Sequence, residues 1–225
     1  MPMTIYPLRV GFDDCYIIRG RGVIMIDGGF PNKVGDFRKG IQRIPIEPRE
    51  IQLMVITHGH WDHIGSAREI REITGAKIAM HIREQNRLEE GLKIMPPGVT
   101  LWGRIFSRIN SLFLPFIRIP PTEVDVVMED EGLSLTEYGI AGKVVYTPGH
   151  SPGSVSVLLE TGEAFVGDMA MNRFPLCIGP GLPIFAEDEQ RLIQSWKFLL
   201  DQGVRTIYPA HGKPFPADII REALA

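Results

Sequence analysis

Residues 57–63 read T-H-G-H-W-D-H, and a chain with six histidines places three of them, with an aspartate, inside that stretch. If positions are drawn independently from this composition, an H-x-H-x-D-H string arises about 2 × 10⁻⁴ of the time. Chance is a poor explanation. Further histidines and acids follow where β-type runs give way to loops: His150 in T-P-G-H-S-P-G-S, Asp168 in F-V-G-D, and His211 in P-A-H-G. Loops at strand ends are where a rigid scaffold presents reactive groups. Imidazole and carboxylate are ligand types for first-row metals, and three histidines with an open fourth position make a catalytic zinc arrangement. Two sites fit the count. His58, His60 and His150 can make one; Asp62, His63 and His211 can make the other, with Asp168 bridging. Taken singly, His150 or His211 would as readily satisfy a local hydrogen bond. Jointly they share one pattern, and glycines beside His58, His60, His150 and His211 let the backbone approach closely. His81, outside the pattern, reads as structural or exposed.

The elements that must hold these groups are short. I-Y-P-L-R-V, C-Y-I-I and V-I-M-I-D-G-G open a sheet by hairpins around the turn R-G-R-G. Because G-R-G runs into a strand rather than a helix, it is no dinucleotide-binding loop. Val34, Phe37, Ile41 and Ile44 recur at helical intervals, Leu53–Ile56 is a buried strand entering the histidine cluster, and Ser66–Thr74 follows as a helix. Lys77–Met80 reads as a strand and Ile82–Lys93 as a helix. In the second half, Val124–Met128, Gly142–Tyr146 and Val155–Leu159 read as strands. A-F-V-G-D and T-I-Y-P-A-H-G also read as strands, with helices over Glu187–Gln202 and Ala217–Leu224. Two mostly β halves with helices between them predict two packed sheets covered by helices, in one domain over 1–225.

Composition narrows the class. With 44% hydrophobic and 23% charged residues, 24 glycines and 18 prolines, the chain can bury a sizeable core and is not disordered. A net charge of −3 gives no field for a polyanion, so no nucleic-acid partner is expected. The N-terminal M-P-M-T-I-Y-P-L-R has no signal-peptide pattern and no stretch reaches eighteen uninterrupted apolar residues, so a cytoplasmic protein without stable membrane association is expected. Cys15 and Cys177 are too few for a disulfide framework and read as free thiols.

T-H-G-H-W-D-H, T-P-G-H-S-P-G-S, F-V-G-D and P-A-H-G, in this order and with M-I-D-G-G near the start, resemble the metallo-β-lactamase superfamily. The resemblance covers nearly the whole chain. It implies an α/β fold, a four-layer αββα sandwich of two mixed sheets, and a binuclear site with the ligand roles given above; Asp27 and Thr57 would support it from behind. It also implies a metal-dependent hydrolase. In such a site two divalent ions, zinc foremost and iron or manganese as alternatives, activate a water as metal-bound hydroxide, with His58, His60 and Asp62 at the reacting centre. An aspartate at position 168, where true β-lactamases of the superfamily have cysteine or serine, argues against antibiotic hydrolysis. Only 14 residues follow His211, so the glutathione-binding region of the glyoxalase II branch is not visible. Met171 stands where many acyl-homoserine lactonases carry tyrosine. The expected substrate is an ester, thioester or lactone of a small, partly apolar molecule. The rival readings are a mononuclear iron persulfide dioxygenase, a phosphodiesterase and a non-catalytic metal-binding protein.

An insert at about 94–122 separates the two motif-bearing halves. Trp102, Ile105, Phe106, Ile109, Leu112 and Phe113 follow helical spacing, predicting one amphipathic helix bracketed by prolines. It packs on its own domain, or serves as a lid, a homodimer contact or a membrane contact; Trp102 and Phe106 are candidate substrate contacts. The loop after Asp168 is tethered to a metal ligand, so Arg173 and Phe174 are candidates as well.

Overall fold

The structure, a computed structural model, describes residues 3–224; Met1, Pro2 and Ala225 of the expected 1–225 domain lie outside the described residues. The N-terminal runs form the antiparallel ladder β1 (Thr4–Val10), β2 (Asp13–Arg19) and β3 (Val23–Ile26). After α1 (Val34–Ile41) the chain adds β4 (Ile51–Val55) parallel to β3, then α2 (Trp61–Ile64) and α3 (Ala67–Thr74). Next come β5 (Lys77–His81), α4 (Gln85–Glu89), α5 (Leu101–Ser111) and β6 (Val126–Met128), with β5 and β6 extending the parallel part. The second half supplies β7 (Leu133–Ser134), β8 (Gly142–Tyr146), β9 (Val155–Leu159) and β10 (Glu163–Asn172). It closes with α6 (Glu189–Asp201), β11 (Thr206–Gly212), β12 (Phe215–Pro216) and α7 (Asp218–Ala223). Among the described residues the strands form two six-stranded sheets, in the orders β1-β2-β3-β4-β5-β6 and β12-β11-β10-β9-β8-β7.

Residue alternation decides which face each strand turns to which layer. In β2, Cys15 and Ile17 pack outward with Phe37 and Ile41 of α1, whereas Tyr16 and Ile18 point between the sheets. β4 repeats this, with Met54 outward and Leu53 and Val55 inward against Val157 and Phe165 of the other sheet. The second sheet turns Val166 and Ile207 toward Trp196 and Leu199 of α6 and Ile220 of α7. The layers are therefore helix, sheet, sheet, helix. Each fully buried aliphatic or aromatic side chain contributes about 1.5–3 kcal/mol, and a one-residue slip would turn a whole strand inside out, so the register is strongly held.

The two halves are clamped where β4 ends. Val155 N donates to Thr57 O at 2.9 Å, Tyr16 Oη donates to Pro209 O at 2.7 Å, and Gly212 N donates to Asp14 Oδ2 at 3.2 Å. This edge carries the histidine loops.

Several elements are shorter than the periodicity predicts. The Ile82–Lys93 helix is reduced to α4: Glu84 turns its carboxylate into the protein, and Gly91 takes φ +64°, which ends the helix against Ile119 O. Ser66 does not cap α3; its Oγ donates to Phe30 O and accepts from Lys33 N. Asp188 caps α6 by accepting from Arg191 N at 2.9 Å, leaving Glu187 outside the helix and facing the site. The Val34–Ile44 run ends at Ile41, and the strand read from Val124 begins at Val126. His81 is buried, 3.2 Å from Asp130 through Nε2 and stacked on Tyr146 at 4.6 Å between ring centroids, which fixes it as a structural residue.

Candidate metal centre

The T-H-G-H-W-D-H loop leaves the end of β4 and enters α2, so His58 and His60 lie on the loop while Asp62 and His63 lie on the first turn of the helix. Gly59 is required there: a Cβ would stand 2.6 Å from Arg87 Cδ and 2.8 Å from Glu84 Oε2. His150 lies between β8 and β9, Asp168 within β10, and His211 at the end of β11. The pairing of β10 with β11 slips on both sides of Gly167, which takes φ +54°, and this bulge aims the Asp168 carboxylate into the site. Trp196 Nε1 secures the strand beyond it, donating to Met169 O at 3.0 Å.

All seven expected ligands converge. His60 Nδ1 and His150 Nε2 are 2.9 Å apart, and the ligand atoms of His58, His60 and His150 all lie within 4.8 Å of one another. A second group of the same tightness joins Asp62, His63 and His211 with Asp13, and a third joins His58, His63 and Asp168. Asp168 reaches both halves: Oδ1 is 3.4 Å from His63 Nε2 and 3.2 Å from His211 Nε2, and Oδ2 is 3.8 Å from His150 Nε2.

The partners behind these rings fix their tautomers. Asp27 Oδ1 accepts from Thr57 N at 2.8 Å and its Oδ2 accepts from His63 Nδ1 at 2.9 Å, while Thr57 Oγ1 donates to the same carboxylate at 2.9 Å. With its one proton so committed, Thr57 Oγ1 accepts from His58 Nδ1 at 3.1 Å. His150 Nδ1 donates to Phe185 O at 3.0 Å. The lone pairs of His58, His63 and His150 are thereby left on Nε2, facing the centre. His58 Nε2, His63 Nε2 and Asp168 Oδ1 are buried and make no hydrogen bond in the protein. Buried polar atoms without partners are costly, and a convergent set of imidazole nitrogens with carboxylates is the donor set of a divalent ion. The residues fit the metal.

Charge divides the centre in two. Burial pushes His58 and His60 well below the ordinary histidine value, and neighbouring histidines push in the same direction. Burial also lowers His150, against the pull of Asp168. In the other half burial opposes protonation of His63 and His211, but Asp27 and Asp168 around the first, and Asp168, Asp62 and Asp13 around the second, raise both. Burial would raise Asp168, yet His211 and His63 hold it well below the usual carboxylate range.

Three supports escape a reading of the sequence. Asp13 is fully buried 3.3 Å from His211 Nδ1, and burial raises its carboxyl well above normal against the pull of His211. Its signal is an acid in the strand parity of Cys15 and Ile17. Glu84 accepts from Gly59 N at 3.0 Å and from Gly153 N at 2.9 Å, tying the two histidine loops together, with Arg87 Nη1 2.8 Å away. Glu187 accepts from Arg87 Nη2 at 3.2 Å and lies 3.9 Å from His60 Nε2. For these two no spacing in the sequence gives warning.

A cavity of about 520 Å³ opens over the centre, with His60, Asp62, Asp168 and His211 at its floor. Its walls are apolar: Phe30, Trp61, Met95, Phe106, Met171 and Phe185. Arg173 and Phe174 line it, although Arg173 is bound to Asp14 and to Phe12 O. Trp102 stands one step back from the lining residues, beside Phe106 at 5.9 Å between ring centroids. Its indole nitrogen donates to Pro175 O at 2.8 Å, so it holds the loop that carries Phe174.

A family model described as metallo-beta-lactamase superfamily matches residues 8–211. A probable metallo-hydrolase of Bacillus subtilis (strain 168), YflN, is 24% identical over 171 residues, covering 74% of this chain and 64% of that protein. The hydroxyacylglutathione hydrolase GloC of Haemophilus influenzae is 27% identical over 172 residues, covering 75% of this chain and 72% of its own. A solved structure, TTHA1623 in a di-iron-bound form, superposes with a TM-score of 0.66 at 22% identity and covers 95% of this chain and 96% of that one.

Proposed function

The chain belongs to the metallo-beta-lactamase superfamily, and from that premise we propose that it hydrolyses an ester, thioester or lactone whose acyl part is apolar. The observation that carries the reading is the meeting of a convergent metal-ligand floor with an apolar cavity of about 520 Å³. His58, His60 and His150 would hold one ion and Asp62, His63 and His211 the other. Asp168 would lie between the two, since its oxygens face histidines of both groups. Bound there, two divalent ions would supply Lewis acidity that lowers the pKa of a water toward neutrality and polarises a carbonyl. Asp62 lies at the cavity floor with Oδ2 3.6 Å from His211 Nε2, placed to orient a water as well as to ligate. Asp27 keeps His63 and, through Thr57, His58 in the ligating tautomer. Phe106 and Phe174 take the acyl group, and the Arg173–Asp14 pair shapes the rim. Zinc is the metal of choice for this nitrogen and oxygen donor set, with iron or manganese as alternatives. The free thiols of Cys15 and Cys177 suit a reducing cytoplasm.

Metal content by elemental analysis, with rates on esters, thioesters, lactones and phosphodiesters for wild type and Asp168→Ala, tests the reading. Two ions per chain, turnover of apolar acyl substrates and collapse of both in the variant are expected. One iron per chain with O₂ consumed on a persulfide would replace hydrolysis by oxygenation. Full activity in Asp168→Ala would remove the bridging role.

A further inference from the structure

The helix α5 lies with its apolar face away from the protein. At about 100° per residue, Leu101, Trp102, Ile105, Ile109, Leu112 and Phe113 fall in one sector about 120° wide. The side that meets the body is instead Gly103, Phe106, Ser107 and Asn110, centred about 130° away. Gly103 is buried so closely that a Cβ would stand 2.2 Å from Ile184 O, and Ser107 Oγ donates to Pro96 O at 3.0 Å. Leu101 is 77% exposed, Ile109 50%, Leu112 71% and Phe116 83%. Trp102, through Pro175, draws in the loop carrying the exposed Phe174 and Ile178, so the apolar surface is contiguous. Monomeric proteins seldom leave such a patch uncovered.

The charge around it is one-sided. Lys93, Arg104, Arg108 and Arg118 are the charged residues of 92–122, which holds no acid, in a chain whose net charge is −3. A second copy docked on this face by two-fold symmetry would bring arginines toward arginines with no carboxylate of the segment between them. An anionic bilayer surface satisfies both features: the apolar sector enters the acyl boundary, aromatic rings sit at headgroup depth, and the arginines meet lipid phosphates.

We infer that α5 and the 174–178 loop are an interfacial docking surface for anionic lipid. This departs from the expectation of no stable membrane association. Phe106 and Asn110 of the same helix line the cavity, so docking sets the cavity beside the bilayer that would dissolve an apolar substrate.

Flotation with phosphatidylcholine vesicles, with and without phosphatidylglycerol, tests this without reference to activity. The wild-type protein is expected to float with the anionic vesicles alone, and less as salt rises. Arg104→Gln/Arg108→Gln, with unchanged circular dichroism, is expected to lower the partition coefficient about 30-fold, since each basic residue near such a surface contributes about fivefold. Ile109→Glu is expected to abolish flotation. Absence of wild-type flotation overturns the inference. So does a dimer seen by light scattering that Ile109→Glu dissolves while vesicles stay unbound, or retention on polyglutamate with no flotation.

Discussion

Replacing Asp27 by asparagine isolates the control of ligand tautomers. Asp27 takes φ +61°, a left-handed conformation that asparagine adopts readily, so Asp27→Asn leaves the backbone undisturbed where alanine would strain it. The amide oxygen can keep the Oδ1 position, where Thr57 N donates at 2.8 Å. The amide NH₂ then falls at Oδ2, 2.9 Å from His63 Nδ1. A donor there forces His63 Nδ1 to accept, which moves the ring proton to Nε2 and removes the lone pair from the centre. Changing a partner behind a metal-bound histidine costs about 10–100-fold in metal affinity, or about 1.4–2.7 kcal/mol. The loss should fall on the site built from Asp62, His63 and His211, with His58 affected less because Thr57 still accepts from it. Competition with a chromophoric chelator, read as two separate dissociation constants, measures it, and thermal unfolding of the chelated protein controls for folding. If Asp27→Asn binds both ions within twofold of wild type, Asp27 does not set the tautomer of His63.

Other outcomes follow from the same geometry. The two sites should differ in pH dependence: protons compete with metal for ring nitrogens, and His58, His60 and His150 are lowered by burial, so affinity at their site should stay flat as pH falls through the ordinary histidine range. His63 and His211 are raised by their carboxylates despite burial, so affinity at the other site should already decline above that range; titrations at stepped pH distinguish the two, and parallel curves would refute the division. Glu84→Gln leaves one of the buried donors Gly59 N or Gly153 N without a carboxylate oxygen. A cost of about 1–3 kcal/mol is expected, seen by thermal unfolding as a fall of about 2–4 °C per kcal/mol. Phe106→Ala should raise KM about tenfold for a long-chain acyl ester, with kcat little changed and the acetyl ester unaffected. Equal effects on both esters would mean Phe106 does not meet the acyl group.

The sequence disclosed most of the site because its ligands are packed at strand ends with short, glycine-broken spacing, which leaves few alternatives for T-H-G-H-W-D-H. The sheets were legible for a related reason: β2 and residues 53–56 alternate between two buried faces, and each of these residues' layers follows from parity. Glu84 was hidden because its partners are backbone N–H groups of loops far away in sequence, which no side-chain pattern records. Asp13 was hidden because an acid in a strand reads as solvent-facing until a histidine from β11 is seen beside it. For α5 the period was legible and the orientation was not. Gly103 and Ser107 are small enough to let the backbone lie against Ile184 and Pro96, so close contact, rather than hydrophobicity, chose the buried side.

The proposed metal ligands divide by origin: positions 58 to 63 come before the insert and positions 150 to 211 after it. Neither half holds the whole of either proposed ligand set: His58 and His60 meet His150, and Asp62 and His63 meet His211, only where Val155 N reaches Thr57 O across the seam. Cation uptake at the proposed sites would therefore report the joining of the two halves, and a bound ion would act as a rivet that holds them shut. A cut in the connecting segment would leave two fragments that meet across the apolar layer between the sheets, with shared ions strengthening their reunion.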